Sequence, residues 1–194
     1  VGNFAVKKGQ IDAEKLFRKI SLGNYSLAFV ITVCVYCLIS PFVTIWVGGK
    51  YTLPDTTVAV IVLNFYISIN QYCVANFMGA SGELYYINRF RSLIEGAVNL
   101  VASLVLVRYT SLGITGVFLG TTACFLCGRV WMDAHTIYKH WFKVPFARYV
   151  KMYILRFGLC AIMCILCKLL TGSLFGRFGI NIVIWVLSAI VCVV

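Results

Sequence analysis

What this chain lacks above all is charge. No charged side chain lies between Lys19 and Lys50, between Asp55 and Glu83, between Arg108 and Arg129, or after Arg177. Acidic groups are the scarcest, six Asp and Glu against 17 Lys and Arg. Soluble domains carry about 25% charged residues, whereas this chain carries 12%, which excludes an ordinary soluble domain. Its 61% hydrophobic content excludes disorder. Proline is rare, and of its three positions only Pro41 falls within an apolar run, where it is expected to bend a helix. Catalytic patterns are missing: there is no G-x-S-x-G, H-E-x-x-H or P-loop. His135 and His140 have no acidic or cysteine cluster around them. The reading is therefore of a non-enzyme, with no catalytic residue, metal or cofactor expected.

What is present fits a membrane. A helix needs roughly 20 apolar residues to cross the hydrocarbon core, and each charge-free stretch can hold one. The sequence predicts an all-α, polytopic transmembrane helix bundle of about six spans, near 24–47, 57–80, 92–108, 114–136, 150–170 and 179–194. The third is expected to start earlier, within "YYINRF". Residues 1–23 read as a cytoplasmic segment preceding the bundle at 24–194. Within it "IDAEKLFRKI" sets Leu16 and Ile20 four apart beside Lys15, Arg18 and Lys19, as in an amphipathic helix on the inner leaflet or an ordinary basic loop. The chain opens on Val1 and ends in "IWVLSAIVCVV"; the expectation is a piece of a larger membrane protein.

Basic residues set the expected orientation. With the N-terminus cytoplasmic, the inner segments hold Lys7, Lys8, Lys15, Arg18, Lys19, Arg89, Arg91, Lys139, Lys143, Arg148 and Lys151. The outer loops hold only Lys50, Arg108 and Arg177. That bias follows the positive-inside rule, so the net charge of +11 points to cytoplasmic loops and not to nucleic acid. Nine cysteines include three C-x2-C pairs, all within apolar spans. Thiolates in lipid are costly, so these read as small apolar fillers. Gly116 and Gly120, four apart in the fourth span, read as a close-packing face.

Polar groups inside the spans carry whatever function the sequence reveals. The second span holds Asn70 and Gln71 near its middle. The third holds Ser92, Glu95, Asn99 and Ser103 at steps of three and four, hence on one face. Ionisable groups in a membrane face a bundle interior, a partner or a water-filled cavity. Glu95 then either serves a hydrated path or anchors Arg91, four residues earlier. Asn70, Gln71 and Asn99 either line that path or tie helices together. Arg129 and Asp133, also four apart, read as an interfacial pair along the fourth span.

Two passages resemble a known family. "SPFVTIWVGGKYTL" is similar to the "PF…W-G…Y" passage of bacterial polysaccharide flippases. "RSLIEGAVNLVASLVLVRYTSLGITGVFLGT" is similar in its "IE…VNL…S" helix and "GITG" turn. "VGNFAVKKG" and "FARYVKMYI" fit the same family, the O-antigen and capsular exporters of the multidrug/oligosaccharidyl-lipid/polysaccharide superfamily. The resemblance implies the second lobe of a two-lobed transporter in a bacterial plasma membrane, completed by the remainder of the same chain. Such a protein moves polyprenyl-pyrophosphate-linked oligosaccharide from the inner to the outer leaflet, with a proton or sodium ion as the coupling ion. In that frame Asn70, Gln71, Glu95 and Asn99 are candidates for the path. Arg89, Arg91, Arg129 and Arg156 are candidate cations for the pyrophosphate, since guanidinium can bond phosphate two-fold. A related drug antiporter or peptidoglycan-precursor flippase shares the architecture, and a membrane-embedded glycan transferase or polymerase is the rival from another class.

Overall fold

The computed structural model describes the backbone of residues 10–80 and 90–178, and the side chains of 13–80 and 90–169. Among these residues the regular structure is helical throughout, with no strand. Five helices are long and apolar enough to cross a membrane: α1 (Gln10–Trp46), α2 (Asp55–Ala80), α3 (Arg91–Tyr109), α4 (Ile114–Phe142) and α5 (Ala147–Phe178). The chain is a multi-pass membrane protein built as an all-α bundle. The expected sixth span at 179–194 and the early start of the third, at 85–89, lie outside the described residues.

Short connections make sequential helices antiparallel. A single 3-10 turn, Gly49–Tyr51, links α1 to α2. Gly113, at φ 52°, takes the backbone into a region that side chains disfavour and opens α4 from the "GITG" turn. Lys143, at φ 54°, ends α4 in a left-handed conformation, and Pro145 follows before α5 begins. The spatial order is α3, α4, α2, α1, α5. Outer faces stay apolar, as lipid requires: Leu93, Leu100 and Leu104 on α3 are exposed.

The first helix departs from expectation. It runs unbroken through residue 23 and through Pro41, for 37 residues. At 1.5 Å per residue that is about 55 Å, well beyond the ~30 Å hydrocarbon thickness. Its first turns are not a separate surface helix. Ala13 and Phe17 are buried, while Ile20, one of the two residues expected on the apolar face, is exposed. Phe17 meets Phe77, Phe142 and Tyr138 at ring-centroid distances of 5.1, 5.5 and 6.0 Å. Glu14 accepts from Arg148 at 3.0 Å and closes the same corner against α5. We call this the basic end of the bundle, since α1 enters it through Lys15, Arg18 and Lys19.

The fourth helix is not uniform. Ile114–Cys124 and Val130–Thr136 are α-helical, whereas Phe125–Arg129 and Ile137–Phe142 are π-helical. A π turn bonds i to i+5, so each turn takes in one more residue and side chains four apart fall out of line. Gly116 and Gly120 face α3 as their spacing suggests. A Cβ on Gly120 would lie 2.8 Å from the Ser103 backbone N, and one on Gly116 3.4 Å from Leu106 Cβ.

Candidate functional site

The principal polar constellation sits between α3 and α4 at the basic end. Arg91, in the first turn of α3, is held from two sides. Its Nε stands 3.2 Å from Glu95 Oε1, within ion-pair range though off hydrogen-bond geometry. One of its terminal nitrogens pairs with Asp133 Oδ2 on α4. The burial is asymmetric: the Asp133 side chain is 2% exposed, those of Arg91 and Glu95 17% and 15%. A cavity of about 60 Å³ adjoins the pair, lined by Arg91, Glu95, Cys124, Cys127, Gly128 and Met132 among others. Gly128 leaves room for the carboxylate, since a Cβ there would touch Glu95 Cγ at 3.6 Å. Cys124 donates its thiol to the Glu95 backbone carbonyl at 3.1 Å.

The π turn explains why Asp133 looks across the helix pair. In a straight α-helix Arg129 and Asp133 would stack along one face. Here Arg129 closes the π segment and its guanidinium lies over the Phe125 ring, 5.4 Å from the centroid. Asp133 takes Arg91 from α3, so the ion pair expected along α4 is a bridge between helices.

The other expected site residues do not gather in one place. Asn99 Oδ1 accepts from Ser103 Oγ at 3.2 Å and from Thr121 Oγ1 at 3.3 Å, farther along the α3–α4 seam. Asn70 donates to the Tyr66 carbonyl of its own helix at 2.9 Å. Gln71 is buried and donates to Tyr149 Oη at 3.2 Å, joining α2 to α5. Arg156 donates to Ser21 Oγ at 2.8 Å and lies over the Tyr25 ring at 5.1 Å, on the α1–α5 side. Arg89 lies outside the described residues. Asn70, Gln71, Glu95 and Asn99 thus make separate contacts, and among the described candidates only Arg91 and Glu95 meet.

Sequence reasoning missed a second seam. Thr57 and Thr115 hydroxyls lie 2.7 Å apart. One heptad on, Asn64 donates to the Phe118 carbonyl at 2.9 Å and accepts from Thr122 Oγ1 at 2.8 Å. The signal was available as the spacing 57, 64, 71 on α2 against 115, 122 on α4. At the far end Lys168 reaches Asp55 at 2.9 Å and covers the Tyr36 ring at 4.6 Å.

The fold and these seams define a polytopic helical membrane protein with Thr57, Asn64, Gln71, Thr122 and Asp133 buried between its helices. Comparison with family models, characterised proteins and solved structures returns no match to the chain.

Proposed function

We propose that the chain is part of a transporter, with the Arg91–Glu95–Asp133 cluster as its working centre. Three ionisable groups packed together between membrane helices carry this reading. Such groups are expensive in a bilayer and belong to ion and substrate pathways. The π turn beside them supports the same reading, because such turns concentrate at functional sites.

The resemblance to polysaccharide exporters supplies the cargo: a polyprenyl-pyrophosphate-linked oligosaccharide, carried from the inner to the outer leaflet of a bacterial plasma membrane. The basic end is then cytoplasmic. An arriving pyrophosphate competes with Glu95 for Arg91, whose guanidinium fork suits phosphate oxygens. Glu95, released, takes a proton or a sodium ion, which couples the cargo to the ion gradient. The remainder of the chain supplies the facing lobe.

The test is a deletion in the producing cell. Surface polysaccharide should disappear while its lipid-linked precursor accumulates on the inner leaflet, and the full-length gene should restore both. Precursor that still reaches the outer leaflet at the normal rate would remove this reading.

A further inference from the structure

We propose that the groove between α1, α2 and α5 is a binding site for one anionic phospholipid of the surrounding bilayer. Its head sits at Arg156 and one acyl chain runs in the cavity beyond. The site stands independently of the transport reading.

The polar end comes first. Arg156 has five N–H donors, and the bonds it makes run from one nitrogen to Ser21 Oγ and the Ser21 carbonyl, at 2.8 and 3.4 Å. No carboxylate pairs with it among the described residues. Arg18, exposed and one turn before Ser21 on α1, adds a second cation beside the entrance. The depth suits a headgroup. Counting ~30 Å of hydrocarbon back from Trp46 along α1, at 1.5 Å per residue, reaches the turn that carries Tyr25. Tyr25 is fixed there by donating to the Arg156 carbonyl at 3.3 Å.

The apolar end continues on the same faces. Positions 156, 160 and 164 share one face of α5, and 21, 25, 32 and 36 share one face of α1. Between them lies a cavity of about 190 Å³ lined by Thr32, Tyr36, Tyr66, Phe157, Cys160 and Cys164 among others. Thr32 is 3% exposed and its hydroxyl has no hydrogen-bond partner, though it borders this space. A cavity of this character, beginning one turn above an uncompensated arginine, fits an amphiphile and not a free anion.

Charge selects the head. One guanidinium without a carboxylate balances one phosphodiester. Glu14, the acidic group nearest along α1, is held by Arg148. Among the described residues no carboxylate at the site is left to receive an ethanolamine ammonium, so the groove favours a phosphatidylglycerol-type lipid over a zwitterionic one.

The experiment is native mass spectrometry of the full-length protein, incubated with phosphatidylglycerol or phosphatidylethanolamine. The wild type should retain one phosphatidylglycerol in preference. Arg156→Gln should lower that retention about tenfold, the loss of one charge-assisted contact, and bring the two lipids level. Ala161→Trp, which fills the cavity from α5, should lower retention of both lipids. Arg108→Gln, outside the groove, should change nothing. Melting temperature and elution profile report on folding. Should Arg156→Gln not fold, Arg156→Lys keeps the charge and loses the fork, and it should weaken retention of phosphatidylglycerol alone. Equal retention of the two lipids by the wild type would overturn the proposal. So would undiminished retention in Ala161→Trp, which would mean that protein, such as residues 179–194, fills the groove.

Discussion

Asn64 on α2 ties itself to α4 twice, and one of the two bonds comes from Thr122. Its Nδ2 donates to the Phe118 carbonyl at 2.9 Å, and its Oδ1 accepts from the Thr122 hydroxyl at 2.8 Å. Both side chains are buried. Asn64→Leu should therefore lower stability by about 1–2 kcal/mol, at the upper end of interhelical bonds in membranes. Thr122→Val should cost less, because it removes one of the two bonds. A double-mutant cycle followed by thermal unfolding in detergent should give a coupling of about 1 kcal/mol. Simple additivity would mean that the two side chains do not work as a unit.

Arg91 serves two carboxylates, which makes the single variants of Arg91 and Glu95 unequal. Arg91→Gln removes the guanidinium that bridges Glu95 and buried Asp133 and should cost about 1.5–3 kcal/mol, the loss of a charge-assisted contact. Glu95→Gln keeps the Arg91–Asp133 bridge and should cost about 1 kcal/mol. Protein abundance in membranes and unfolding in detergent measure this order. A Glu95→Gln variant less stable than Arg91→Gln would contradict it.

Three glycines of α4 make a graded series. At Gly120 a Cβ would press on the backbone of Ser103 at 2.8 Å, and backbone cannot turn aside. Gly120→Ala should cost about 1–3 kcal/mol. At Gly116 and Gly128 the nearest atoms lie at 3.4 and 3.6 Å, ordinary contact distances. Alanine there should change the melting temperature little. Helix propensity alone would favour alanine at all three positions, so a Gly120→Ala variant as stable as the other two would mean that the α3 contact does not set the effect.

Orientation has a direct readout. A single cysteine placed at Lys50, in a protein otherwise free of reactive thiols, should react with a membrane-impermeant reagent added outside intact cells. One at Lys143 should react only after the membrane is opened. The positive-inside distribution requires this pattern, and the reverse would invert the bundle.

The five described spans were legible because charge-free stretches are a one-dimensional signal. Gly113 and the Gly116/Gly120 pair could be read for the same local reason. The start of α1 was not. Lys15, Arg18 and Lys19 suggest a helix lying on a surface, and only tertiary contact shows Phe17 among Phe77, Tyr138 and Phe142. Within the site, the Arg91–Glu95 pairing followed from helical spacing alone. Asp133 was assigned the wrong neighbour, because a π turn shifts the phase of a helix and no residue pattern announces it. The Thr57–Thr115 and Asn64–Thr122 contacts needed knowledge of which helix faces α2. Asn70 and Gln71 are adjacent in sequence, yet one bonds its own helix and the other reaches α5.

The central claim is that the cluster at Glu95 works in transport as well as in holding α3 to α4. Glu95→Gln in the full-length protein tests it, in cells lacking the native copy, with surface polysaccharide and protein abundance measured together. Glutamine keeps the shape and most of the hydrogen bonding but removes the charge and its titration. Export should fall severalfold while abundance stays level. Normal export at normal abundance would contradict the claim, and would leave Glu95 neither in transport nor as the anchor of Arg91, but as an interfacial side chain.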